Sequence, residues 1–280
     1  MAPSAPEAPL APLGFVSLVG AGPGHPDLLT LRGFRALQAA DVILYDALLD
    51  PSFQDLFPTE ALALPVGKRC GQGGTPQEEI HRLLVVHAQQ GRQVVRLKGG
   101  DPLIFGRGGE EALALSTAGI PFEIIPGVSA VQAAAAAAGI PLTHRGVSRR
   151  ITLLEGHHLP EAEAEWQALV QGGGTLAIYM GTRSIQALAR SLLRQGAPPA
   201  LPIALVERAQ CPDQATTLST LTLAATGALR ATTAGPGILL IGEALHHRTQ
   251  PEISHGPASA LPGPHGEAGP AGGRRQRRAG

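Results

Sequence analysis

From residue 13 to residue 126, short aliphatic runs alternate with stretches whose apolar positions recur every three or four residues. The first kind predicts strands, the second amphipathic helices. Strands are predicted at 15–20 (FVSLVG), 41–45 (DVILY), 61–66 (ALALPV), 93–98 (QVVRLK) and 122–126 (FEIIP). Helices are predicted between them at 27–40, 75–91 and 109–119. The second helix has Thr75 as cap, Pro76 at the first helical position, Glu78 three residues after the cap and Gly91 as its stop. Past Pro126 and Gly127 the pattern restarts with an Ala-rich helix and strands near 151–154, 175–180, 202–207 and 238–242. Such alternation predicts an α/β chain of largely parallel sheets covered by helices. It divides into an N-terminal lobe, 14–126, and a C-terminal lobe, 127–246. The pattern fails at both ends: 1–13 is Ala/Pro-rich, and 247–280 is rich in Pro, Gly and finally Arg. Both are expected to be disordered tails, the closing GRRQRR being a solvated end without assigned function.

Composition narrows the ligand more than the fold. Hydrophobic residues make up 44% of the 280 and aromatic residues only 3%, so the core is built from Ala, Val, Leu and Ile. Lys and Arg (22) balance Asp and Glu (22), leaving no net field to draw the chain to nucleic acid or a membrane surface. An anionic ligand must therefore meet a local basic patch. Cys70 and Cys211 form no CxxC pair, which argues against a disulfide scaffold or thiolate metal cluster. No apolar run reaches the length of a membrane span, and the first residues lack a signal-peptide pattern. The expectation is a soluble cytoplasmic protein.

Ligands of open α/β sheets sit beyond the carboxyl ends of strands, so three strand-to-helix loops carry the candidate chemistry. In VGAGPGHPDLLT, Gly20, Gly22 and Gly24 permit tight turns, and Asp46 closes the next strand. This is one form of a dinucleotide fingerprint, but the third glycine position falls on His25, and Pro23 and Pro26 remove amide donors. A Gly/Pro-rich connection without ligand is the other reading. In VVRLKGGDPLIFGRGGEE, Gly99, Gly100 and Asp101 combine backbone amides with a carboxylate able to accept from an ammonium or ribose hydroxyl, or to cap a turn, and Arg107 is a candidate anion contact. In IIPGVSAVQAAAAAAGIPLTHRG, a helix start offers free N–H groups at Ser129 and Ala130, and Thr143, His144 and Arg145 form a later polar group.

These blocks, together with YDALL at 45–49, VGKR at 66–69, YMG at 179–181 and VERAQCPDQ at 206–214, resemble uroporphyrinogen-III C-methyltransferases over about Gly14 to His246. The resemblance implies the tetrapyrrole methylase fold: two α/β lobes, S-adenosylmethionine bound in the cleft between them, and a homodimer. Carried over by motif, the cofactor contacts are Pro23, Gly99, Gly100, Asp101, Ile104, Ser129, Ala130, Met180 and Ala209. Asp46 corresponds to a proton acceptor and Lys68 to a proton donor. The acetate and propionate arms of the substrate require cations, for which Lys68, Arg69, Arg107, Arg145 and Arg149 are the candidates.

The chain departs from the family pattern at His25, where Asp is usual, at Ser129, where Thr is common, and in the basic pair Arg149 and Arg150. The dehydrogenase and ferrochelatase module of fused sirohaem synthases is not expected, nor are NAD chemistry and metal insertion. The implied reaction transfers two methyl groups to C2 and C7 of uroporphyrinogen III, giving precorrin-2 for sirohaem or cobalamin synthesis and S-adenosylhomocysteine as the second product. A sulfonium methyl is already electrophilic, so the chemistry calls for alignment in a dry cleft and for no metal. Methylation of a later precorrin remains open as an alternative, as does a dinucleotide-dependent oxidoreductase or nucleotide sensor built on the glycine loop alone.

Overall fold

The computed structural model describes residues 12–47, 49–67, 74–160 and 162–250. Five strands from the first half form one parallel sheet: β1 (Phe15–Gly20), β2 (Val42–Asp46), β3 (Leu62–Val66), β4 (Gln93–Lys98) and β5 (Phe122–Ile125), in the order β3-β2-β4-β1-β5. Helices α1 (Leu31–Gln38), α2 (Gln77–Gln89) and α3 (Gly108–Thr117) cover it. Because the central strands β1, β2 and β4 are buried on both faces, they are largely apolar runs. Val16, Leu18, Leu44 and Val94 face Ile80 and Leu84 of α2 and Leu115 of α3. Val19, Ile43, Val95 and Leu97 face the other way, onto Leu37 of α1 and Phe53.

Two helix starts differ from the sequence expectation. The 27–40 stretch opens as a 3-10 turn, Pro26–Leu28, breaks at the extended Leu29, and becomes α-helical only at Leu31. Thr30 caps that start, its Oγ1 accepting from Gly33 N–H at 3.0 Å. In α2 the cap position is Pro76 and not Thr75.

The second half forms another five-stranded sheet: β6 (Ile151–Glu155), β7 (Thr175–Tyr179), β8 (Pro202–Glu207), β9 (Ala215–Thr220) and β10 (Gly237–Ile241). Its order is β6-β7-β10-β8-β9, and only β6 and β7 pair in parallel. The expectation of parallel sheets therefore holds for the first and is corrected for the second. Seven residues, 208–214, join β8 to β9, too few for the crossover that parallel neighbours need. Helices α5 (Glu163–Gly172), α6 (Ile185–Arg194) and α7 (Leu221–Thr226) cover one face. The Ala-rich α4 (Ala130–Ala138) lies on the other, against β8 and β10, where small side chains allow close approach. No helix among the described residues is long and apolar enough to cross a membrane.

Candidate functional site

The loops leaving β1, β4 and β5 are stitched together at the carboxyl edge of the first sheet. Gly22 and Gly100 exchange backbone hydrogen bonds of 3.2 and 3.0 Å. A Cβ on Gly127 would lie 2.3 Å from Gly100 O, and one on Gly20 would lie 2.5 Å from Gly127 N, so the approach requires glycine at both positions. Asp101 ties the same loops: Oδ2 accepts from Gly127 N–H at 3.1 Å and Oδ1 from Leu103 N–H at 2.9 Å. The first loop also reaches the second half of the chain. Gly24 has φ +76, and a Cβ there would sit 2.6 Å from Ala209 O. Pro23 is thereby brought beside the loop that carries Ala209.

The start of α4 is the next component. Ser129, only 3% exposed, and Gln132 form a capping box, in which Ser129 N–H donates to Gln132 Oε1 at 2.9 Å. Tyr179, at the end of β7, places its hydroxyl 2.5 Å from Ser129 Oγ and accepts from Val131 N–H at 3.2 Å. Among the described residues the Ala130 N–H has no hydrogen-bond partner. Ile104, Ala130 and Ala209, from two loops and the first turn of α4, pack against one hydrophobic cluster that also contains Tyr179. Met180 follows with φ +54 and is 38% exposed. The non-glycine residues with positive φ among those described are Phe105, Arg107, Met180, Arg208 and Gln210. All lie in loops after β4, β7 or β8, and such conformations hold about 1–3 kcal/mol of strain each, a feature concentrated at functional sites. Glycine-shaped backbone, an open amide donor and an apolar wall fit a small ligand carrying both a planar apolar part and polar ends.

Asp46 lies on the same face of the sheet as Val42 and Leu44. It opens on a cavity of about 390 Å³ whose wall includes Tyr45, Phe57, Asp50 and Gly67. Its Oδ2 accepts from Gly99 N–H at 3.1 Å, and its Oδ1 is ion-paired with Arg96. Arg96 and Lys98 are each 3% exposed, and both contact Glu111, which is fully buried. Arg96 Nε lies 3.0 Å and Lys98 Nζ 2.9 Å from Glu111 Oε1, and Gln77 Nε2 donates to the same oxygen at 3.2 Å. Burial would lower the Arg96 pKa, but Asp46 and Glu111 hold it above its ordinary value. Burial first, and then the neighbouring Arg96 charge, push the Lys98 ammonium below the usual lysine range. Sequence reading missed these three residues. The available signal was period two: Arg96 and Lys98 share a face in an otherwise apolar strand.

The expected substrate cations are distributed differently. Arg107 is already engaged, its Nε and Nη2 donating to the two carboxylate oxygens of Glu110 at 2.8 and 2.7 Å. Arg145 and Arg149 are exposed and, with Thr143, His144 and Ser148, line a shallow depression of about 420 Å³. Lys68, Arg69 and Cys70 lie outside the described residues. At the end of β8, buried Glu207 accepts from the N–H and hydroxyl groups of Thr232 and Thr233 at 2.8–3.0 Å. Burial alone would raise its pKa, but these hydrogen bonds outweigh it and hold the carboxyl below the ordinary glutamate range.

Comparison with known proteins agrees with this geometry. Residues 16–225 match the family described as Tetrapyrrole (Corrin/Porphyrin) Methylases. A protein of Sodalis glossinidius named Siroheme synthase is 50% identical over 237 residues, covering 84% of this chain and 50% of that protein. The chain thus spans about half the length of the curated relatives it matches. Among solved structures, uroporphyrin-III C-methyl transferase from Thermus thermophilus complexed with S-adenosyl homocysteine is 39% identical, with TM-score 0.72, covering 84% of this chain and 100% of that one. A cobalt precorrin-4 methyltransferase is 28% identical, with TM-score 0.71, covering 82% of this chain and 95% of that one. With a family model matched over most of its length and a fold shared with those structures, the chain belongs to the tetrapyrrole methylase family.

Proposed function

We propose that the chain is an S-adenosylmethionine-dependent C-methyltransferase that places two methyl groups on uroporphyrinogen III, at C2 and C7, to give precorrin-2. The observation that carries this reading is the end-to-end likeness to the Thermus thermophilus uroporphyrin-III C-methyl transferase, which this chain covers completely. The donor, when bound, supplies an electrophilic methyl on a sulfonium. Residues 14–126 and 127–246 act as the two lobes around it. Pro23, the Gly99, Gly100 and Asp101 turn, Ile104, the Ser129 and Ala130 helix start, Met180 and Ala209 hold it. The shared packing of Ile104, Ala130 and Ala209 on one cluster supports this assignment.

The remaining work falls to residues around the Asp46 cavity. As an electron-rich ring carbon attacks the methyl, positive charge develops on the adjoining pyrrole nitrogen. Asp46, partly exposed and opening on that cavity, stabilises the charge and accepts the proton released as the ring rearranges. Lys68 serves as proton donor; it follows Gly67, whose Cβ would lie 3.7 Å from Asp46 Oδ1. Arg69, Arg145 and Arg149 meet the carboxylate arms, and Arg107 joins them only by leaving Glu110. The enzyme works as a cytoplasmic homodimer, and its product feeds sirohaem or cobalamin synthesis.

Incubation with anaerobically generated uroporphyrinogen III and labelled donor should add two methyl masses to the tetrapyrrole. No mass gain from folded protein would refute the substrate. Methylation of a later precorrin is the second reading, favoured by the 28% identity to the cobalt precorrin-4 methyltransferase. It predicts mass gain on a precorrin already methylated and none on uroporphyrinogen III.

A further inference from the structure

The buried charges beneath Asp46 are poorly arranged for stability alone. Ion pairs taken out of water seldom repay their desolvation. Here every donor converges on Glu111 Oε1, while Oε2 is buried without a hydrogen-bond partner among the described residues. An unsatisfied buried acceptor is destabilising.

What the arrangement achieves is geometric. The Arg96 guanidinium is planar, so fixing two of its nitrogens fixes the third. Nε is held by Glu111 at 3.0 Å, and Nη1 reaches Leu97 O at 3.2 Å and Leu44 O at 3.4 Å. Nη2 is left aimed at Asp46 Oδ1, while Gly99 N–H holds Oδ2. We propose that Glu111 is a positioning residue: acting through Arg96, it fixes the orientation of the Asp46 carboxylate, with Lys98 as its neutralising partner. The inference rests on the reading of Asp46 as proton acceptor.

Glu111→Gln keeps the side-chain length and an acceptor at Oε1 but removes the charge. Single-turnover methyl transfer per folded molecule should fall about tenfold to a hundredfold, the scale of a misplaced reacting group. S-adenosylhomocysteine affinity, measured by titration calorimetry, should change less than about twofold, because none of the proposed donor contacts is touched. A crystal structure of the variant should show Asp46 turned away from Gly99 N–H. In an Asp46→Asn background the same substitution should cause less than about a further twofold loss, since the residue it acts through is already disabled. Glu111→Asp keeps the charge but withdraws it by one methylene, and should give the same pattern if the Gln variant does not fold. Equal losses in both backgrounds, or an unmoved Asp46 with full turnover, would overturn the inference. Should the wild type transfer no methyl to uroporphyrinogen III, the reaction reading fails separately. The crystal structure then decides positioning: a displaced Asp46 supports it, an unmoved one refutes it.

Discussion

Replacing Tyr179 by Phe removes one hydroxyl and leaves the ring packed 4.9 Å, centroid to centroid, from Phe105. The hydroxyl joins β7 to the first turn of α4 through Ser129 Oγ and Val131 N–H. A net contribution of about 0.5–1.5 kcal/mol per hydrogen bond gives a loss of about 1–3 kcal/mol for the two. Both partners are buried, and an unpaired buried N–H is costly, which favours the upper half of that range. For a chain of this size, about 2 kcal/mol lowers the melting temperature by about 4–8 °C. Because the same two bonds hold the proposed donor-binding turn at Ser129 and Ala130, part of the loss should appear in ligand affinity. If about 1 kcal/mol of it does, S-adenosylhomocysteine binds roughly fivefold more weakly. Urea unfolding and titration calorimetry on wild type and Tyr179→Phe measure the two halves. Stability within about 0.3 kcal/mol of wild type, together with unchanged affinity, would refute the assignment of this hydroxyl as the tie between the sheet and the turn.

Asp46→Asn should reduce single-turnover methyl transfer by about 100-fold or more while leaving S-adenosylhomocysteine affinity within about threefold, as removal of a proton acceptor requires; rapid-quench kinetics with labelled donor would measure it. Gly127→Ala forces a methyl to within 2.3 Å of Gly100 O and should destabilise by about 1–3 kcal/mol, with weaker donor binding, read by thermal melting and calorimetry. Glu207 has a folded pKa below its unfolded value, so its contribution is present above the unfolded pKa and is lost as pH falls through the folded one. Wild-type stability should therefore drop between about pH 5 and pH 3 more steeply than that of Glu207→Gln, which starts lower and stays flatter in urea unfolding across that window.

The first sheet was legible because its central strands are buried on both faces, which leaves apolar runs such as FVSLVG and DVILY that no amphipathic helix would give. The second sheet was legible only where the same condition holds. β9, ATTLST, is an edge strand of mostly half-buried Thr and Ser, so neither apolar run nor alternation marks it. Its antiparallel sense follows from the short β8 to β9 connection, visible only once β9 is known. In the site, the glycine loops were recognisable because close backbone approach demands glycine locally. The Arg96, Lys98 and Glu111 group was not, because its partners are 13–15 residues apart on different elements and meet only after α3 folds back over β4. The Arg107–Glu110 pair was hidden for the opposite reason: an exposed contact between residues three apart is one that the sequence permits without requiring.

Helix α4 follows the first sheet in the chain, yet its walls are built from the second. Its alanines pack on β8 and β10, and its last turn is tied down by Arg248 Nε to Ala138 O at 2.7 Å and Thr249 N–H to Gly139 O at 2.8 Å. During synthesis Ser129 therefore emerges 50 residues before Tyr179, and the last turn of α4 emerges 110 residues before Arg248. A nascent chain can complete the first sheet and its glycine loops and still have no finished donor pocket. The proposed pocket takes part of its support from β10, so a ribosome stalled before that strand should carry a first half that is blind to the ligand.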